Sequence, residues 1–192
     1  MQNFNFFIPL KKAYGENDEL EGIASTISID RDSERMSEKA LQDMANEIME
    51  KGVNLFGNHE HNWENTLGAI KQASIRDNRL IIRAVLDDPN TNPKIPMLLN
   101  KLSRGIQLGL SVGGSTTKDH WEQDKISGKR IKVIDNVKLF EVSVVGIPSN
   151  ADSFLTLPMA IAKAAKISLN NTCPICFHKS KGKKCELCLY QK

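Results

Sequence analysis

The sequence predicts a mainly β, α+β domain whose antiparallel strands form a closed or partly closed barrel flanked by a few helices. Two observations predict it. Short stretches rich in Ile, Val and Thr outnumber the stretches with helical spacing, and the few helices fall between strands. The length of 192 residues and hydrophobic content of 40 % suit one ordinary domain with an appendage. No internal repeat interrupts this reading.

The elements follow in order. Glu21 to Asp30 is rich in Ile and Thr and reads as a strand. From Met36 to Lys51 the apolar residues Leu41, Met44, Ala45 and Ile48 recur at i, i+3, i+4 and i+7, the stripe of an amphipathic helix. Ser37 suits its N-cap and Gly52 its C-terminal stop. Val53 to Phe56 is a short strand. Leu67 to Ile75 and Arg79 to Leu86 form an antiparallel pair joined at Asp77-Asn78. Pro93 to Ser103 is a short helix with Ile95, Leu98, Leu99 and Leu102, stopping near Gly105. Ile106 to Gly113, Arg130 to Ile134 and Val137 to Ile147 complete the strands, with a turn expected after Gly113. Met159 to Leu169 is Ala- and Lys-rich and predicts a linking helix. The boundaries are therefore a main domain at 1–157, a helical linker at 158–172 and a cysteine-bearing unit at 173–192.

Charge is unevenly placed. The net charge is +3, but Cys173 to Lys192 alone holds five lysines and one glutamate, so this tail is strongly basic. Residues 1–10 carry a short apolar run without the basic and long apolar regions of a signal peptide. No apolar run approaches the roughly 18 residues needed to span a bilayer. A cytosolic protein with no membrane partner is expected.

All four cysteines lie in that tail, as Cys173-Pro-Ile-Cys176 and Cys185-Glu-Leu-Cys188. Each pair lets two thiolates grip one ion, and the two pairs together complete a tetrahedral Zn2+ site with no open position. A structural zinc knuckle is expected, with no metal required for catalysis. Thioredoxin-like chemistry is not, because no βαβ pattern surrounds either pair.

Three stretches carry candidate catalytic groups. Gly109-Leu110-Ser111-Val112-Gly113 places Ser111 on a face shared with two glycines, which leaves room for a substrate backbone. The pattern fits G-x-S-x-G, but the nucleophile elbow needs a helix immediately afterwards, and Gly113-Gly114-Ser115 does not start one. In Leu139-Phe140-Glu141-Val142-Ser143, Glu141 sits among apolar residues, where a carboxylate is costly unless paired. Gly57-Asn58-His59-Glu60-His61 supplies imidazoles. HExH is not HExxH, so the zinc-peptidase helix motif fails. A metallohydrolase using His59, His61 and Asp87 or Asp88 remains a rival.

Together these stretches resemble the tailed-phage prohead proteases, capsid-maturation serine proteases related in fold to the herpesvirus assembly proteases. The resemblance runs from about Glu21 to Leu155. It rests on Ile29-Asp30-Arg31-Asp32 followed by a helix, on His59-Glu60 with Leu67-Gly68 beyond, and on the two strands around Ser111 and Glu141 with a Pro148-Ser149-Asn150 ending. Glu60, Gly114 and Ser149 depart from the usual residues, and the spacing after His59 implies a local insertion at 62–66. The resemblance implies Ser111 as nucleophile, His59 as general base and Glu141 as the group that orients it. His61 is the less favoured base and His120 the less favoured third member. It further implies scaffolding protein and a scaffold-like segment of the major capsid protein as substrates, cut in the host cytoplasm inside the assembling prohead. Self-cleavage is expected, with Met159 to Asn171 a candidate region. Homo-oligomerisation and nucleic-acid binding by the basic tail are left open. The alternative is an inert scaffold- or nucleic-acid-binding module that works through the knuckle.

Overall fold

In a computed structural model the described residues are 3–11, 19–104 and 106–147, the first of these as backbone. The strands are β1 (Asn3–Lys11), β2 (Glu19–Thr26), β3 (Glu34–Met36), β4 (Val53–Gly57), β5 (Thr66–Arg76), β6 (Arg79–Leu86), β7 (Gly109–Gln123) and β8 (Arg130–Val145). Among the described residues two α-helices accompany them, α1 (Glu38–Lys51) and α2 (Lys94–Ser103). The strands form one strongly curled sheet in the order β3-β8-β4-β5-β6-β2-β1-β7, and β7 also pairs with β8. Among the described residues the seam between β1 and β2 carries two register pairs, Leu10↔Gly22 and Lys11↔Glu21.

The mainly β, α+β class is as the sequence predicts, but the sheet is mixed rather than antiparallel. β3 and β4 both run parallel to β8 along the edge opposite β7, and α1 connects them. That connection delivers the end of β4 beside the C-terminal end of β8. The helix forms for the reasons legible in its sequence. Ser37 Oγ accepts the N–H of Ala40 at 3.1 Å, and Gly52 closes the last turn with φ 71°, a left-handed value that favours glycine. Its stripe of Leu41, Met44, Ala45 and Ile48 is buried in the common core with Leu55, Ile70, Ile82, Val112, Ile134 and Val142. Burial of each large member contributes about 1.5–3 kcal/mol.

Four boundaries differ from expectation. β2 ends at Thr26 rather than Asp30, because the Asp30 Oδ1 accepts the N–H groups of Asp32 at 2.9 Å and Glu34 at 2.8 Å and bends the chain into β3. β1 is an added strand: its backbone pairs with β7 from Asn3↔Ser115 to Pro9↔Gly109. β7 starts at Gly109 and continues through the expected turn after Gly113 to Gln123. β8 is one strand where two were expected. The last two share a cause: β7 and β8 pair along almost their whole length, and register shifts at Gly113/Gly114, Thr116/Lys118 and Lys118/Asp119 absorb the glycines and the Asp135-Asn136 step. Asp77 (φ 49°) and Asn78 (φ 56°) make the tight β5–β6 turn as predicted, both in the left-handed region that Asp and Asn tolerate. The helical linker expected at 158–172, the zinc knuckle expected at 173–192 and the Pro148-Ser149-Asn150 ending lie outside the described residues.

Candidate active site

Three neighbouring strands bring the three candidate groups together. β8 lies between β7, antiparallel, and β4, parallel. Across β7 and β8, Ser111 is opposite Ser143 and Gly113 is opposite Glu141. Side chains of paired residues project from the same face of a sheet, so Ser111, Ser143 and Glu141 share one face. Leu110, Val112, Val142 and Val144 take the other and fill the core.

β4 supplies the imidazole. Phe56 pairs with Ser143 and Gly57 with Val144, so the chain leaves β4 level with Glu141 and Ser143. It then turns sharply through Asn58 (φ 52°) and His59 (φ 60°), two consecutive left-handed residues. Such backbone costs a non-glycine residue on the order of 1 kcal/mol, though Asn and His adopt it more readily than most. Two bonds hold the turn: Asn58 N–H donates to the Val144 carbonyl at 2.9 Å, and His59 N–H donates to Ser143 Oγ at 3.1 Å.

The side chains then form a continuous chain of hydrogen bonds. His59 Nδ1 is 2.5 Å from Glu141 Oε1, and His59 Nε2 is 2.9 Å from Ser111 Oγ. An ionised carboxylate only accepts, so Nδ1 carries the proton and the Nε2 lone pair faces the Ser111 hydroxyl. Ser143 Oγ donates to Glu141 Oε2 at 2.5 Å. The Glu141 side chain is 2 % exposed against 24 % for His59, so the acid is enclosed while the base retains access to solvent. Glu141 meets its burial cost through partners at both oxygens. Gly113 makes room for it: a Cβ there would overlap the Glu141 carboxylate and stand 2.9 Å from its Cδ.

A family profile, caudovirus prohead serine protease, matches residues 10–167 of the chain. The chain belongs to that family. It is a serine endopeptidase with a role in prohead maturation. Among solved structures, the bacteriophage T4 capsid assembly protease, gp21, is similar with a TM-score of 0.58 and 16 % identity, covering 77 % of this chain and 98 % of that one. At that identity the likeness speaks for the fold alone. No curated protein matches the chain significantly.

The other candidates of this prohead protease fall into place around the trio. His61 Nε2 is 3.5 Å from Glu141 Oε1, its ring packs against Phe56 with centroids 5.8 Å apart, and its side chain is 55 % exposed. His59, rather than His61, bonds to Ser111. His59, His61 and Glu141 each offer a ligand atom within 4.8 Å of the others, a set able to hold a metal ion. The 2.5 Å between Nδ1 and Oε1 is a hydrogen-bond distance, whereas two ligands on one Zn2+ stand roughly 3 Å or more apart at normal bond lengths. Asp87 and Asp88 are outside this set, engaged by Asn92 Nδ2 at 3.0 Å and by the Asn90 N–H at 2.8 Å. His120 is bonded to Asp135 instead of the trio.

Two features of the site go beyond the sequence reading. The room beside Gly113 holds the Glu141 carboxylate and is not left open for substrate. Ser143 contacts two members of the trio, and its signal was a hydroxyl two residues beyond Glu141, hence on the same strand face. Beyond the trio, a cavity of about 680 Å³ adjoins His61 and Glu141, with Phe56, Phe140, Lys51 and Lys71 in its walls. No helix among the described residues is long and apolar enough to cross a membrane.

Proposed function

We propose that Ser111, His59 and Glu141 are the nucleophile, general base and orienting acid of this endopeptidase. The observation that carries the reading is the unbroken Ser111–His59–Glu141 hydrogen-bond chain at 2.9 and 2.5 Å. Ser111 Oγ attacks a peptide carbonyl while its proton passes to His59 Nε2. Glu141 stabilises the imidazolium that forms. His59 returns the proton to the leaving amine, which departs as the acyl-enzyme forms. A water then loses a proton to His59 and attacks the ester, and the proton passes back to Ser111 as the acid product leaves. The substrates in this reading are scaffolding protein and a scaffold-like segment of the major capsid protein, cut inside the assembling prohead in the host cytoplasm. Its support is the family and the fold likeness to a capsid assembly protease. Self-cleavage between Met159 and Asn171 belongs to the same proposal.

Cys173, Cys176, Cys185 and Cys188 are proposed to hold one structural Zn2+ in the basic tail, on the strength of their spacing. Metal analysis tests this: one zinc per chain is expected, absent after deletion of 173–192. The catalytic reading is tested by co-expression with cognate capsid and scaffolding proteins. Cleavage by the wild type and none by Ser111→Ala is expected; equal cleavage by both overturns it.

A further inference from the structure

We propose that Ser143 is a positioning residue that locks the acid and the base of this site to each other, an inference that rests on the triad reading above. Its Oγ donates to Glu141 Oε2 at 2.5 Å and accepts from the His59 backbone N–H at 3.1 Å. Glu141 Oε1 in turn meets the His59 ring at 2.5 Å. These contacts close a ring: His59 backbone, Ser143 hydroxyl, the two carboxylate oxygens and the His59 imidazole. The ring fixes the plane of the carboxylate relative to the residue it orients. One bond alone leaves the carboxyl free to rotate about its terminal torsion, which is broad for Glu.

The placement of Ser143 explains why this position can do so. It pairs with Ser111 across β7–β8 and with Phe56 across β4–β8, so it lies between the strand of the nucleophile and the strand that leads to the base. It is fully buried, where no water competes for its hydroxyl. His59 also stands in left-handed backbone, and Ser143 Oγ is the acceptor that satisfies its N–H. A side chain without an acceptor would release both the turn and the carboxylate while leaving the packing of β8 nearly unchanged.

The test compares the full-length wild type, Ser143→Ala and Ser143→Cys, the last keeping the side chain's shape with a weak donor. The first readout is the rate at which a fluorophosphonate modifies Ser111. There the Oγ–P bond forms, fluoride leaves and His59 takes the proton. The second is the downfield proton resonance of His59 Nδ1–H, which a purely structural role would not move. Circular dichroism establishes that each variant is folded. The proposal expects folded variants that label about 10- to 100-fold more slowly, with the resonance shifted or lost, by analogy with groups that orient a catalytic ligand. A folded Ser143→Ala protein, or Ser143→Cys if the alanine variant does not fold, that labels at the wild-type rate with its resonance unmoved overturns it. Failure of the wild type to label at Ser111 would instead overturn the triad reading itself.

Discussion

The long β7–β8 ribbon holds a histidine–carboxylate pair at each end, and they differ in everything but distance. At the inner end His59 meets Glu141 at 2.5 Å; at the outer end His120 meets Asp135 at 2.7 Å. The inner acid is 2 % exposed, whereas the outer histidine and acid are 51 % and 24 % exposed. At the inner end the second ring nitrogen faces a serine hydroxyl at 2.9 Å. At the outer end it faces another acid, Glu122, at 3.8 Å. An imidazole paired with a carboxylate is therefore not a site by itself. It becomes one where strand register supplies a hydroxyl on the other side and burial raises the strength of each contact.

The contrast can be broken in several ways. The largest effect belongs to Ser111→Ala, which should remove turnover by roughly a millionfold, to background, by analogy with other Ser–His–acid hydrolases. Substrate cleavage followed by mass spectrometry measures it. Glu141→Gln preserves shape but presents a donor or a weaker acceptor to His59 Nδ1; about a 10⁴-fold loss in kcat with a folded protein is expected. Gly113→Ala forces a Cβ against the Glu141 carboxylate, so urea denaturation should show a loss of about 1–3 kcal/mol, with activity reduced in the folded fraction. Asp30 is a buried acid without a histidine: burial pushes its carboxyl up to about 6 from 3.8, and its Oδ2 has no hydrogen-bond partner. Because the folded state favours the protonated form, its contribution to stability is fully present below about pH 3.8 and is lost as pH rises through about 6. Asp30→Asn should flatten the fall in stability between pH 4 and 7, measured by denaturation across that range. The smallest effect belongs to His120→Ala, which should change activity less than twofold and stability by no more than about 0.5 kcal/mol.

Much of this contrast was legible in the sequence, and the reason is periodicity. The stripe of Leu41, Met44, Ala45 and Ile48 located α1 with its caps, and two-residue alternation put Ser111 and Glu141 on definite strand faces. The trio His59, Ser111 and Glu141 came from the resemblance to the prohead proteases, which rests on three motifs in order. What local pattern does not encode is pairing between distant strands. The turn expected after Gly113 is a continuing strand, because β8 lies alongside to accept its hydrogen bonds through a shifted register. For the same reason the parallel placement of β3 and β4 along one edge of β8 was hidden, and with it the route by which the His59 turn reaches Ser143. The two-glycine face of Ser111 suggested space for substrate; only the cross-strand register shows that Glu141 fills part of it.

The central claim is that the inner pair, and not the outer, activates one particular serine. It is tested most directly by treating the full-length protein with a fluorophosphonate and mapping the adduct by peptide mass spectrometry. A single adduct on Ser111 is predicted, formed at the wild-type rate in His120→Ala and abolished in His59→Ala. An adduct on another serine, or undiminished labelling of Ser111 in a folded His59→Ala protein, would contradict it.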